Sequence, residues 1–317
     1  MSIVRIGNTI LKLNGKLLKI EGARPLLPPY TIRLRFRDGT TPTFSFGTGT
    51  QVSSSPNVWD LYYENNDWSY LVAGKNDLLE VLEVGDTSSV TLTSYMFYEC
   101  QSLTRVPVFN TSSVTSMRSM FHNCLSLTAI PQLDTSSVTN MMEMFINCWS
   151  ITSVPLLDTS SVRWMNQMFY NCNTITTVPL FDTSSVEDMS SMFWKCSSLT
   201  TVPLFNTSSV TNMSGMFREC SSLTWAPLFD TSSVTNMVST FEDCTALRNV
   251  PLFNTSSLSL MNYTFLGCVM VESGALALYQ QVSTQSNVPT HNYPFRVCGR
   301  DTPTGAAELA QIPTGWK

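Results

Sequence analysis

Hydrophobic positions recur through most of the chain with a period of 24 residues. Eight cysteines keep the same position in successive repeats, and a phenylalanine lies three residues before each of them. These cysteines are Cys100, Cys124, Cys148, Cys172, Cys196, Cys220, Cys244 and Cys268. One repeat, residues 199–222, reads LTTVPLFNTSSVTNMSGMFRECSS. A fixed period of this length predicts stacked repeats with one continuous core, because a single repeat cannot bury its own apolar face.

Each repeat contains two hydrophobic patterns. The second half has apolar residues at spacings of three, three, one and three, which predicts one face of a short helix. In the repeat above these residues are Val210, Met213, Met216, Phe217 and Cys220. The first half has the L-x-x-L-x-L form of a leucine-rich-repeat strand, so we expect Leu199, Val202 and Leu204 to face the core. Pro203 lacks a backbone donor, which predicts a brief or irregularly paired strand.

An Asp or Asn lies between the two patterns, directly before a Thr-Ser-Ser sequence. The column consists of Asp86, Asn110, Asp134, Asp158, Asp182, Asn206, Asp230 and Asn254. A side-chain oxygen here is expected to accept hydrogen bonds from the N–H groups that open the predicted helix. Calcium binding in the turns is the alternative, but Asn at three positions lacks the charge that a calcium site needs. We therefore predict turn and capping residues.

The cysteine and methionine columns contain residue types that also occur in metal and redox sites. The repeats contain no C-x-x-C motif and no Cys/His cluster, so their spacing predicts no zinc site. Parallel side-chain directions on stacked repeats disfavour disulfides. Methionine sulfur is a soft metal ligand, but Met shares the inward face with Phe and Cys and is a flexible core filler. We expect buried thiols, a Met-rich core, no metal and no cofactor.

Both ends of the chain depart from the repeat, which predicts three regions. Residues 1–78 form a β-rich N-terminal attachment module, residues 79–270 the repeats, and residues 271–317 a C-terminal cap with helices over 274–283 and 306–311. The fold class is therefore α/β, a leucine-rich-repeat-like solenoid of about eight 24-residue strand-turn-short-helix coils between two terminal units.

The N-terminal module has two β patterns. Residues 9–20 predict a hairpin around the Asn14-Gly15 turn. Further along, apolar residues at 32, 34 and 36 alternate with Arg33, Arg35 and Arg37, as in a strand with one buried face. This basic face is either solvated or docks on an acidic partner.

Composition and charge exclude several classes of protein. Hydrophobic residues make up 43% of the chain and charged residues only 13%, with a formal net charge of −5. An acidic majority argues against a general nucleic-acid binder. No apolar run approaches the length of a membrane span, so we expect no membrane insertion. The first residues lack the charged segment and apolar stretch of a secretory signal, which predicts synthesis in the cytoplasm without export by that route.

The unit DTSSVTNMxxMFxxCxSLTxxPLF resembles the BspA-like leucine-rich repeat family, including the Mycoplasma-type surface lipoprotein repeats, over roughly residues 79–270. Those repeats usually carry a further Ser-Asn before the Phe-Asp, which this sequence omits. The first 40 residues and the tail, with GALALYQQVSTQ and TGAAELAQIPTGWK, are similar to adsorption or tail proteins encoded by phages of gut bacteria. The resemblance implies a surface-displayed solenoid that serves in adhesion or receptor binding.

Surface positions that vary between repeats are the candidates for recognition. Tyr98, Tyr170 and Trp194 share the column after the Phe, Trp149 follows a core cysteine, and Trp225 varies on the strand side. Exposed aromatic rings at the repeat spacing could bind sugar rings or a protein partner. The alternative is a partly buried column that packs between adjacent repeats.

No nucleophile motif, phosphate loop or metal signature is found, so the sequence predicts a protein without enzymatic activity. One alternative is a glycan depolymerase, because Glu219 and Asp243 would stack on adjacent repeats near the short separation of a retaining glycosidase. Arg218 beside Glu242 offers a simpler interpretation of these charges, as an ion pair between repeats on a solvated face.

The leading hypothesis is a phage virion protein, a tail-fibre or receptor-binding component. Its N-terminal module would contact other virion proteins, and its repeats would bind a host surface glycan or protein. The protein would be made in the host cytoplasm and could form a homo-oligomer. The alternative is an adhesin on a bacterial cell surface.

Overall fold

A computed structural model describes residues 12–13, 16–17 and 27–317. The predicted N-terminal hairpin is confirmed, since strands β1 (Lys12–Leu13) and β2 (Lys16–Leu17) pair antiparallel. Its Asn14-Gly15 turn lies outside the described residues.

A four-stranded antiparallel sheet follows. Its strands are β3 (Thr31–Phe36), β4 (Thr48–Ser54), β5 (Asn57–Tyr62) and β6 (Leu78–Val84), in the order β4-β5-β3-β6. The predicted alternation in β3 is confirmed, because Ile32, Leu34 and Phe36 are buried and the arginines lie on the other face. The predicted boundary between residues 78 and 79 falls inside β6. That strand pairs with β3, and its Glu80 also forms a parallel bridge to Arg105 in the first repeat.

The repeats stack in parallel, which confirms a repeat protein. One bridge residue per repeat pairs with its equivalent in the next, in a series that joins Leu92, Ser116, Asn140, Trp164, Asp188, Asn212, Asn236 and Leu260. Further backbone bonds join neighbouring repeats. For example, the N–H of Phe121 donates to the carbonyl of Met144 at 3.0 Å.

The short helix predicted in each repeat is wrong. Residues 27–274 contain no α-helix, and the Met-Phe-Cys segments form successive tight turns. Some N–H groups donate to the carbonyl three residues earlier and so close a turn, as the Cys124 N–H does to the Phe121 carbonyl at 3.1 Å. The Phe121 N–H instead donates to a carbonyl of the next repeat. Two residues per repeat have positive φ, such as Ser119 at 52° and Asn123 at 60°. Turns of this size keep apolar residues three or four apart on one side, so the predicted inward face remains correct.

The strand prediction is also wrong in its register. Leu199 and Val202 are buried as expected, but Leu204 is 62% exposed and Phe205 only 2% exposed. The Phe205 N–H donates to the Pro203 carbonyl at 3.0 Å, two residues back, which is the hydrogen bond of a γ-turn. This turn directs Leu204 outward and places Phe205 in the core.

The Asp/Asn column is confirmed as a set of turn residues, although no helix follows it. In all eight turns Oδ1 accepts a hydrogen bond from the N–H two residues further on, at 2.9–3.2 Å. The threonine after each Asp or Asn, except the last, donates its hydroxyl to a carbonyl of the next repeat at 2.5–2.8 Å. The turn therefore also joins neighbouring repeats.

The core contains the predicted Phe, Met and Cys columns. Phenylalanine rings of adjacent repeats stack with centroids 5.3–5.7 Å apart from Phe97 to Phe265. All nine cysteines are buried and unpaired, which confirms the prediction of free thiols. From Cys124 to Cys268 each Sγ–H donates to the carbonyl of a phenylalanine in the preceding repeat at 3.0–3.1 Å.

The two C-terminal helices are confirmed as α1 (Ala275–Ser283) and α2 (Pro303–Gln311), followed by a 3-10 helix (Thr314–Trp316). The Thr302 hydroxyl caps α2 by accepting from the Gly305 N–H at 3.1 Å. Phe295 extends the phenylalanine stack by one ring, and Trp316 lies beyond it. These aromatic rings cover the end of the core.

Candidate ligand-binding groove

A polar groove crosses four repeats on the side of the molecule that carries the cysteine turns. It encloses about 500 Å³. Its lining residues flank the core cysteines on both sides and are all polar: Asn171, Asn173, Lys195, Ser197, Glu219, Ser221, Asp243 and Thr245. Side chains of this kind offer both donors and acceptors of hydrogen bonds. The groove therefore presents a regular array of polar groups on a rigid support.

The backbone fixes the column before each cysteine. Its members have φ between 57° and 64°, and each N–H donates to a carbonyl of the next repeat at 2.6–2.9 Å. They are Glu99, Asn123, Asn147, Asn171, Lys195, Glu219 and Asp243. Asn is the non-glycine residue best suited to this left-handed conformation, and three of the seven are Asn. Neighbouring repeats therefore hold these side chains at one spacing.

Asparagine amides form a ladder that leads into the groove. Asn147 Nδ2 donates to Asn123 Oδ1 at 2.6 Å, and Asn171 Nδ2 donates to Asn147 Oδ1 at 2.7 Å. Within the described part of the chain, Oδ1 of Asn171 accepts no side-chain hydrogen bond. The ladder thus orients an amide at the groove with one acceptor available to a ligand.

Trp149 lies outside the groove lining, one repeat before its first members. It occupies the same position of the repeat as Asn173, which lines the groove in the next repeat, and it is 45% exposed. The Thr174 hydroxyl donates to its backbone carbonyl at 2.7 Å. A half-exposed indole on a fixed backbone offers a flat apolar surface beside the polar lining.

Trp194 positions a lining residue and is itself largely covered. Its Nε1 donates to Oε1 of Glu219 at 3.1 Å. Tyr170 packs edge-on against its ring at 5.2 Å, and the Arg218 guanidinium lies 4.7 Å from the ring centroid. This arrangement favours inter-repeat packing over a free stacking platform for Tyr170 and Trp194, the alternative that the sequence left open.

The charges along the groove are mixed. Lys195 Nζ lies 3.9 Å from Glu219 Oε2, and Arg218 Nε lies 3.6 Å from Glu219 Oε1. Arg218 also pairs with Glu242 at 3.0 Å, so the ion pair expected between repeats is present. Glu219 therefore accepts one hydrogen bond, from Trp194, and has two cationic side chains within 4 Å.

Gly267 allows the last groove residue to lie close to the backbone. Its φ is 78°, and a Cβ at this position would overlap the Asp243 carboxylate. Glycine adopts this conformation without strain and leaves room for the Asp243 carboxylate, which would otherwise have to move. The column of groove residues therefore ends at this glycine.

The other predicted binding residues lie elsewhere. Tyr98 packs against His122 with ring centroids 4.8 Å apart, several repeats from the groove, and burial lowers the pKa of His122. Trp225 is 58% exposed in the segment before the outward-facing Leu228. The structure thus brings Trp149, Tyr170 and Trp194 towards one region and leaves Tyr98 and Trp225 apart.

The arginines predicted for attachment are mostly paired within the sheet. Arg33 makes two hydrogen bonds of 2.7 Å to Asp60 and lies 3.5 Å from Glu83, and its pKa is raised chiefly by the bonds to Asp60. Arg35 lies 3.2 Å from Glu80, whereas Arg37 reaches the Ser102 hydroxyl at 3.4 Å. Acidic residues of neighbouring strands therefore balance most of this basic face.

Sequence reasoning missed most of the groove lining. The polar residues on both sides of the cysteine column vary between repeats, and that variation was the available signal. Variation in the column after the Phe, at Trp149 and on the strand side at Trp225 predicted recognition residues, whereas the polar positions beside the other cysteines carried the same signal. Among residues 27–317 no cluster of three or more His, Cys, Asp or Glu could hold a metal ion. In the same part of the chain no helix is long and apolar enough to span a bilayer.

Two comparisons with known proteins bear on the groove-bearing repeats. A family model described as "Mycoplasma protein of unknown function, DUF285" matches residues 66–180 and 174–278, which together exceed half of the chain. No curated protein matches the sequence. The first match begins before the predicted array, near Asp67, whose parallel bridge to Leu92 opens the stack.

Proposed function

Since the chain belongs to the Mycoplasma protein family of unknown function DUF285, whose description assigns no activity, we propose its role from the geometry of the groove. The repeats form a leucine-rich-repeat-like solenoid. This solenoid binds a surface carbohydrate without converting it chemically. The observation that carries this proposal is the set of eight polar lining side chains with Trp149 one repeat before them. Sugar hydroxyls need many donors and acceptors, and the apolar face of a sugar ring packs on an aromatic ring.

Mixed charge supports a neutral or weakly charged glycan as the ligand. The lining contains one cation, Lys195, and two anions, Glu219 and Asp243. A strongly anionic polymer would meet two carboxylates, and burying one of them without a partner is costly. Repeated polar positions along the groove also suit a ligand that itself repeats.

The sequence resemblance supports one biological setting for this binding. The ends of the chain are similar to tail and adsorption proteins of gut phages, and we propose that the protein is a tail-fibre or receptor-binding component of a virion, made in the host cytoplasm. A bacterial surface adhesin is the alternative. Antibody detection of the chain in purified virions would support the first role, and its absence from the particles would contradict it.

A binding measurement with matched variants tests the groove. We expect full-length protein to retain envelope polysaccharide of the host, and Trp149→Ala to weaken that retention about tenfold, because one aromatic contact contributes about 1–2 kcal/mol. Asn171→Ala should also weaken it. The control is Trp164→Ala, which removes a tryptophan of similar exposure at another position of the repeat, in the series of bridge residues.

Equal retention by Trp149→Ala, Asn171→Ala and Trp164→Ala would exclude the groove as the binding site. The same samples should release no reducing sugar. If sugar is released by the wild-type protein and not by Glu219→Gln, the protein is a depolymerase and the proposal of a non-enzymatic role is wrong.

A further inference from the structure

A line of exposed aliphatic side chains runs along the repeats, away from the polar groove. It is formed by the residue after each proline of the P-x-F or P-x-L segment. We call this line the aliphatic ridge; it contains Val108, Leu156, Leu180, Leu204, Leu228 and Leu252, each 56–62% exposed. Gln132 takes the same position between Val108 and Leu156.

The γ-turns direct the side chains of the ridge towards solvent. In four repeats the phenylalanine after the ridge leucine donates its N–H to the preceding proline carbonyl at 3.0 Å. These phenylalanines, Phe181, Phe205, Phe229 and Phe253, fill the core. The ridge leucines therefore cannot exchange places with buried residues. Between Val108 and Leu180 the ridge borders a groove of about 660 Å³.

The size of the ridge is that of an interaction surface. Six aliphatic side chains, with Trp225 on one flank, expose an area on the order of several hundred Å². A typical monomer has a largest apolar patch of about 300–600 Å², and a stable interface buries about 800 Å² per partner. A dimer of this kind would therefore have to bury the two flanking columns as well as the ridge.

The spacing of the ridge selects its partner. Its side chains recur once per repeat, at about the 4.8 Å distance of paired strands. Same-face side chains of an extended peptide are about 6.6 Å apart, so a peptide would lose register within a few repeats. A second copy of this chain has the same spacing over the full length, which allows every ridge residue to pack at once.

The charges beside the ridge select the orientation. Each repeat runs across the stacking direction, so the Asp/Asn column lies along one edge of the ridge. The opposite edge holds mostly neutral residues and Arg105. Hydrogen bonds from the Ser136, Ser184 and Ser232 hydroxyls and N–H groups lower the pKa values of Asp134, Asp182 and Asp230, so these edge residues are anionic at neutral pH.

Two copies of the chain can pack ridge to ridge in two symmetric ways, which differ in the edges that they bring together. A two-fold axis across the stacking direction makes the copies antiparallel and places one Asp column opposite the other. An axis along the stacking direction makes them parallel and places each Asp column opposite the partner's neutral edge. The parallel arrangement places Arg105 at the level of Asn110 in the second copy and keeps the two Asp columns apart, which removes a like-charge repulsion.

We propose that the protein is a parallel homodimer in which two aliphatic ridges pack in register along their length. Gln132, the second of the seven ridge positions, then meets Gln132 of the second copy. Its Nε2 donates to the Leu156 carbonyl at 2.8 Å, which leaves Oε1 and the second N–H for the facing amide. Both polar grooves stay outside the interface, and both N-terminal sheets lie at the same end of the dimer.

Cysteine cross-linking in the full-length protein tests the arrangement. The nine native cysteines are fully buried, so an introduced ridge cysteine is the accessible thiol. With copper phenanthroline as the oxidant, we expect both Leu180→Cys and Leu252→Cys to form covalent dimers of twice 35.3 kDa. The control, Trp149→Cys, lies one repeat before the groove lining and should remain a monomer on a denaturing gel.

The position dependence distinguishes the arrangements. Leu180 is the middle of the seven ridge positions and meets itself in either orientation, whereas Leu252 meets itself only in the parallel one. Cross-linking of Leu180→Cys alone would mean antiparallel copies and would overturn the proposal. Cross-linking of neither variant would also overturn it.

Light scattering on protein without introduced cysteines gives an independent test. Wild-type protein should have twice the mass of 35.3 kDa, and Leu180→Ser/Leu204→Ser should have the single mass. Val52→Ser, which changes an exposed valine of β4, should leave the dimer intact. If the wild-type protein is a monomer at about 100 μM, the proposal is wrong and another partner covers this surface. The same conclusion holds if this monomer binds a basic peptide along the ridge.

Discussion

Each core cysteine fills space and also satisfies a backbone carbonyl. The Cys172 thiol donates to the Phe145 carbonyl at 3.0 Å and is fully buried. Burial raises the pKa of this thiol from 9.0 to about 12, and the other core thiols shift in the same direction. The column is therefore protonated at neutral pH and unsuited to nucleophilic or redox chemistry in the folded state.

This shift predicts a loss of stability at alkaline pH. Thiols of the unfolded chain ionise near pH 9, whereas those of the folded chain stay protonated until about pH 12, so the free energy of unfolding should fall as pH rises between these values. Each thiol contributes a slope of up to about 1.4 kcal/mol per pH unit. Cys172→Val should reduce the dependence of the free energy of unfolding on pH by the equivalent of about one proton, as measured by urea titrations at several pH values. Equal slopes for variant and wild type would contradict this origin.

The turns, at the scale of the element, replace the helices that leucine-rich repeats suggested. Asp182 shows how one turn is held: its Oδ1 accepts from the Ser184 N–H at 3.0 Å and from the Ser184 hydroxyl at 2.6 Å. Asn206 makes the same two contacts at 3.2 and 2.8 Å. The apolar spacing could not distinguish turns from a helix, because both return to one side after three or four residues.

The paired contacts predict different outcomes for two substitutions. Asp182→Ala should lower the free energy of unfolding by about 1 kcal/mol, because it removes two hydrogen bonds, whereas Asp182→Asn should be nearly neutral at pH 7. Bonding to Ser184 lowers the pKa of Asp182 from 3.8, so its stabilisation is present above that pH and is lost as pH falls through the folded value. Urea unfolding at pH 7 and pH 3 measures both effects, and a large cost for Asp182→Asn at pH 7 would contradict them.

The whole molecule is an array in which each repeat contacts its neighbours. Its stability therefore depends on interfaces between repeats and on the covered ends of the core. At the C-terminal end, Trp316 stacks on His291 at 3.7 Å and approaches Phe295 at 6.5 Å. The terminal aromatic ring protects the last layer of the core from water.

Without the Trp316 ring, we expect the end of the array to be less stable and to open locally more often. Trp316→Ala should cost about 3 kcal/mol and increase amide exchange over residues 260–300, because this end alone loses its cover. Amide exchange over residues 100–200 should stay unchanged, which hydrogen-exchange mass spectrometry can measure peptide by peptide. A uniform increase along the chain would show that the repeats unfold as one cooperative unit.

The sequence by itself determined the repeat, the inward columns of Phe, Met and Cys, the Asp/Asn turns and both C-terminal helices. These follow from residue type and period, since burial of apolar side chains needs no knowledge of hydrogen-bond partners. Tertiary structure decided which carbonyl each N–H reaches. The Phe121 N–H bonds to the next repeat and the Phe205 N–H to Pro203, which removed the helix and turned Leu204 outward. The polar groove and the aliphatic ridge depend on those bonds, because residues 24 apart become neighbours only after the repeats stack.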